Sequence, residues 1–139
     1  MKQEDKDLLL RDLCARLPYG VKCYKMTFKP ELAEEVICML RNGSHNCVQL
    51  GTFLYRLEHI KPYLFPMSSM TEEQQKEANL FDDMDMDILS ENLGRNHRNK
   101  TNIPTATYNY TDWLNKNHFD YRGLIEKGLA IDASGLNIY

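Results

Sequence analysis

The chain has 139 residues, 42% hydrophobic and 27% charged, with a formal net charge of −3. That length suits one domain with a core of ordinary size, and the composition argues against a disordered default state. The slight negative charge leaves no global basic field to gather phosphates, and the absence of any run of about 18 apolar residues excludes a membrane-spanning helix.

The opening "MKQEDKDLLLRDLCARL" puts acidic residues where a secretory leader would carry basic ones, so a cytoplasmic protein is expected. Leu9, Leu10, Leu13 and Leu17 recur at spacings of three and four, the stripe of an amphipathic helix, with Lys6, Arg11, Asp12 and Arg16 assigned outside it. Pro18-Tyr19-Gly20 ends that helix, because proline disfavours helical geometry in the residue before it. "VKCYKMTF" then alternates, with Val21 and Cys23 on one side and Tyr24, Met26 and Phe28 on the other, which predicts a strand. Residues 35–41 and 46–53 flank Asn42-Gly43, a pair suited to a tight turn, and predict a hairpin.

"LYRLEHIKPYLFP" reads as a short helix ending near Lys61, where Pro62 follows. Thr71, with Gln74 three residues on, forms the pattern of a capping box and predicts a helix start. From residue 79 to 107 the chain turns from acidic to basic and asparagine-rich, with Gly94 and Pro104 as breakers, and an exposed loop or mobile segment is expected around 82–107. Thr111 and Asp120 are placed to cap two further short helices, the second closed by Gly128 in a left-handed conformation. The expected architecture is a single α+β domain over residues 1–139. A three-stranded antiparallel sheet would pack with the N-terminal helix and several short C-terminal helices.

Four cysteines, Cys14, Cys23, Cys38 and Cys47, lie at least nine residues apart and form no C-x-x-C pair. They read as reduced thiols acting as small apolar groups, and no metal or cofactor is expected. Asp83, Asp85 and Asp87 take the first, third and fifth places of a calcium loop, but Ile88 and Gly94 stand where that loop needs glycine and a bidentate glutamate. "RNHRNK", residues 95–100, is the one dense basic cluster. Arg95, Arg98 and Lys100 with Tyr108, Tyr110 and Trp113 would suit single-stranded nucleic acid, through phosphate contacts and base stacking. The acidic run beside it cancels much of the field.

No nucleophile elbow, zinc-protease motif or phosphate-binding loop occurs. The most enzyme-like stretch is "NHFDYRG", in which His118 would be a general base, Asp120 its orienting carboxylate and Arg122 an anion clamp. The structural alternative gives Phe119, Leu124, Ile125 and Leu129 to the core, Asp120 to a cap and Arg122 to an ion pair, and it carries more weight.

Three phrases, "LLLRDLCARLPYGVK", "IKPYLFPMSSMTEEQ" and "DWLNKNHFDYRGLIEKGLAI", resemble a family of short uncharacterised proteins of gut-bacterial genomes, commonly in prophages and related phages. The resemblance covers the two ends and the centre. It implies a setting, a small accessory protein of mobile-element origin, and brings no activity, cofactor or site residue with it. Together these readings favour a noncatalytic protein-binding or regulatory module. A single-strand nucleic-acid binder is the alternative, and a small hydrolase or nuclease comes third.

Overall fold

A computed structural model describes residues 1–26, 33–78 and 110–139. The segment expected as a loop around 82–107, with Asp83 to Asp87 and the cluster at 95–100, lies outside the described residues, as does Phe28. The chain divides into two compact units, residues 1–67 with 118–139, and residues 68–117.

The first unit is α+β. Helix α1 (Gln3–Arg16) carries Glu4 and Asp5 in its first turn and Arg16 in its last, the order the helix dipole favours. A 3₁₀ turn at Leu17–Tyr19 ends it, and Gly20 follows at φ +68°. A side chain at Gly20 would be strained by that φ, and its Cβ would lie 3.1 Å from Glu35 Oε1.

Among the described residues the sheet has seven strands, not the three expected: β1 (Lys22–Lys25), β2 (Glu34–Asn42), β3 (His45–Leu50), β4 (Phe53–Arg56), β5 (Ile60–Pro66), β6 (Phe119–Asp120) and β7 (Ile131–Asp132). The order is β4-β3-β2-β1-β5-β6, with β7 also on β5. Strands β1 to β5 pair antiparallel, whereas β6 and β7 join β5 in parallel. The first hairpin forms as expected, but Asn42 closes the ladder opposite His45 and the turn itself is Gly43-Ser44, with Gly43 at φ +63°.

The helix expected over residues 54–61 is absent. Its place is taken by β4, a 3₁₀ turn at Leu57–His59 and the start of β5. Leu54, Leu57 and Ile60 recur every third residue and imitate a helical stripe, but Leu54 stays exposed while Leu57 and Ile60 enter the core. Pro62 is compatible with β5 because Met26 N–H bonds to His59 C=O, so residues 59 and 61 face β1 and the proline nitrogen faces away.

One core cluster joins Leu9 and Leu13 of α1 to Val21, Cys23, Val36, Val48, Leu50, Leu57 and Ile60. Each such side chain contributes about 1.5–3 kcal/mol by leaving water. A second cluster joins Leu64 to Leu124, Leu129 and Ala130, and so fastens the tail to β5. The helix expected at 121–128 is instead a series of turns. Gly128 has the expected left-handed φ of +71° there, and the Leu129 N–H reaches back to Leu124 C=O at 2.9 Å.

In the second unit, residues 72–78 (α2) and 110–116 (α3) are helical. The capping box forms: Thr71 N–H donates to Gln74 Oε1 at 2.9 Å, and Gln74 N–H to Thr71 Oγ1 at 3.2 Å. Thr111 lies inside α3, because residue 110 is already helical, and so does not cap it.

Candidate functional site

Among the tail residues singled out by sequence, Arg122 and the Phe119 carbonyl meet two residues of α1 that were placed outside its apolar stripe. Asp12 and Arg16 are both fully buried. They lie one turn apart, and with Leu9 and Leu13 they complete the spacing 9, 12, 13, 16 of a single helix face.

Their burial is matched by dense pairing. Asp12 Oδ2 accepts from Arg16 Nε at 2.8 Å, and Oδ1 accepts from Arg16 Nη2 at 3.0 Å and Arg122 Nη1 at 2.8 Å. Arg16 Nη2 also donates to the Phe119 carbonyl at 2.7 Å. The Tyr121 ring lies 5.6 Å from the Arg16 guanidinium and 4.6 Å from that of Arg122, a stacked arrangement that arginine favours over lysine. One carboxylate thus holds two guanidiniums, and through them the helix holds the tail.

Asp120 is spent on the backbone. Its Oδ1 accepts from Leu124 N–H and its Oδ2 from Ile125 N–H, each at 2.8 Å. This is a cap in chemical terms, although it closes turns and not a helix.

His118 sits in the left-handed region at φ 61°, and its carbonyl accepts from Phe65 N–H at 2.8 Å beside the β5–β6 pairing. Its ring stacks on Tyr139, centroids 3.8 Å apart and planes at 10°. Nδ1 is buried without a hydrogen-bond partner. Burial, with the positive charges of Arg16 and Lys22, depresses the imidazole pKa to about 4, against a weaker opposing pull from Asp12. At neutral pH the ring is therefore uncharged.

Tyr139 locks the arrangement from the other side. Its hydroxyl accepts from Lys22 N–H at 2.9 Å and donates to Tyr63 C=O at 2.9 Å. Lys22 Nζ donates to Ile138 C=O at 2.9 Å. Burial holds the phenol's pKa above its ordinary value, so it keeps its proton.

His118, Asp120 and Arg122 are thus near in sequence but serve separate partners, and no hydrogen bond joins any two of them. The carboxylate that would orient the imidazole faces backbone amides, and the guanidinium that would clamp an anion faces Asp12. An open groove of about 540 Å³ lies elsewhere, lined by Leu17, Glu34, Glu35, Val36, Ile37 and Gly51. Sequence reasoning missed Asp12, Arg16, Lys22 and Tyr139. The helical spacing of Asp12 and Arg16 was the available signal, whereas nothing local announces Lys22 or Tyr139.

Among the residues assigned to nucleic acid, Tyr110 is half-buried and Trp113 is 5% exposed. Arg95, Arg98, Lys100 and Tyr108 lie outside the described residues. Cys23 and Cys47 are buried free thiols, Cys38 is half-buried and Cys14 exposed, so the apolar role fits the first two best.

A different feature stands out on the sheet. Strand β4 ends the strand order. Phe53 and Leu54 on it are 66% and 47% exposed, and Ile37 and Leu40 of β2 are exposed as well. No helix among the described residues is long and apolar enough to cross a membrane. Compared with protein-family models, curated proteins and solved structures, the chain matches none.

Proposed function

We propose that the chain is a noncatalytic protein-binding module, a small accessory protein of a bacterial cytoplasm and of prophage origin. The observation that carries the binding reading is the outer edge of β4, which pairs with no further strand among the described residues and where Phe53 and Leu54 are exposed. Exposed apolar edges invite another strand, and folded proteins ordinarily blunt them with lysine, proline or a bulge. Within β4 only Arg56 serves that purpose, at its far end. The prophage setting rests on the three phrases quoted from the sequence. The noncatalytic part is supported by the tail, where Asp120 accepts from two backbone amides and Arg122 donates to Asp12.

The test is affinity capture from a bacterial lysate with two baits, the wild-type chain and Leu54→Lys, followed by titration of the purified captured protein. The expected result is a protein that binds the wild type at least tenfold more tightly than the variant. Equal binding to both baits would remove the β4 edge from the reading.

A further inference from the structure

The β4 edge can be read residue by residue. β3 and β4 are joined by the two-residue turn Gly51-Thr52, with Leu50 opposite Phe53, Val48 opposite Tyr55 and Gln49 opposite Leu54. In such a hairpin the pair flanking the turn exchanges hydrogen bonds and the next pair does not. The ladder therefore uses Phe53 and Tyr55, and the backbone N–H and C=O of Leu54 and Arg56 point to the open edge. Phe53 and Tyr55 lie on the helix-covered face with Leu50 and Val48, and Leu54 lies on the opposite face.

We propose that this edge pairs with a second copy of itself, β4 against β4 and antiparallel, about a two-fold axis at Leu54. The inference rests on the binding-module reading above and names its partner. That register is self-complementary. Leu54 meets Leu54 of the second copy, and their outward N–H and C=O groups exchange two hydrogen bonds. On the other face Phe53 meets Tyr55 of the second copy and Tyr55 meets its Phe53, giving two aromatic cross-strand pairs.

Charges stay apart in this register. Arg56 falls opposite Thr52 of the second copy, so no arginine faces another. Shifting the axis to Tyr55 would set Arg56 against Leu54 and break both the leucine pair and the aromatic pairs. The interface is small. Four residues of edge pairing fall well short of the roughly 20–30 residues and 800 Å² per partner of a stable standard interface. The dimer is accordingly weak and forms with rising concentration, with a dissociation constant between about 10 μM and 1 mM.

Sedimentation equilibrium of the full chain, with a thiol reductant present, tests this over about 1 μM to 2 mM. The wild type is expected to pass from monomer to dimer within that range. Leu54→Lys and Leu54→Glu each place like charges on the axis, and each is expected to weaken dimerisation at least tenfold while leaving the circular dichroism spectrum unchanged. An equimolar mixture of the two pairs Lys with Glu on the axis and is expected to recover the dimer. Phe53→Ser, at the most exposed position, should weaken it as well. A wild type that stays monomeric throughout overturns the proposal, as does a mixture that associates no better than either variant alone. A monomeric wild type that still binds a captured protein through β4 would overturn the homodimer and leave the binding-module reading standing.

Discussion

Replacing Asp12 by asparagine tests whether one buried carboxylate holds the helix and the tail together. The substitution keeps shape and volume but removes the charge that faces Arg16 and Arg122. It also turns an amide donor toward groups that can only donate. Three hydrogen bonds end on this carboxylate, at 2.8, 3.0 and 2.8 Å, and Arg16 has no exposed surface through which water could replace them. Removing one partner of a buried pair leaves the other charge uncompensated and costs about 3–5 kcal/mol. A domain of this kind is stable by about 5–15 kcal/mol in total, so the loss is a large share of it. Urea unfolding followed by circular dichroism at pH 7 should place the Asp12→Asn midpoint far below that of the wild type. The double variant Asp12→Asn, Arg16→Met removes the stranded guanidinium and is expected to regain part of the loss. A single-variant loss below about 1 kcal/mol, the range of an exposed ion pair, would refute the reasoning.

Three further outcomes follow from the geometry. His118 has a folded-state pKa of about 4 against an ordinary 6.5, so the unfolded chain takes up the proton first as pH falls; stability is fully present above about 6.5, declines between 6.5 and 4, and levels off below, by up to about 3 kcal/mol. His118→Asn, which tolerates the left-handed φ and does not titrate, should flatten that slope in urea midpoints measured from pH 4 to 7, and an unchanged slope would assign it to other groups. Gly20→Ala, at φ +68°, should cost about 1–2 kcal/mol in the same assay, with little of it steric because the nearby Glu35 carboxyl can swing away. Thr71→Ala removes the hydroxyl that accepts from Gln74 N–H and should destabilise the start of α2 by about 1 kcal/mol, read as faster hydrogen exchange at that amide.

Local chemistry in the sequence was a good guide at several places where the deciding partner lay within a few residues. The Thr71 box, the first hairpin, the Asp120 cap and the left-handed Gly128 are all of this kind, though the Thr111 cap and the helix expected at 121–128 did not form. Readings failed where the partner was distant. Leu54, Leu57 and Ile60 fit a helical period as well as they fit a strand and a turn. What decides is the pairing of β4 with β3 and of β5 with β1, which periodicity does not encode. Asp12 and Arg16 lie on the buried face of α1 but were assigned outside its leucine stripe, and charged side chains are seldom buried. Their burial depends on Arg122 and on the Phe119 carbonyl, more than a hundred residues further along. The tail's enzyme-like composition has the same origin, since its arginine pairs with a buried carboxylate and its aspartate accepts from two backbone amides.

The parallel attachment of β6 and β7 to β5 also sets an order of events during synthesis. Residues 1–67 are synthesised before their tail partners: Arg122 is 110 positions from Asp12 and Tyr139 lies 117 positions from Lys22. Until those residues arrive, β5 lacks its parallel partners and the second core cluster lacks Leu124, Leu129 and Ala130. Contacts across such separations close slowly because the loop entropy must be met first. The nascent first unit therefore passes through a period with an open β5 and an incompletely matched charge pair, the interval in which a chaperone or a protease would find it most accessible.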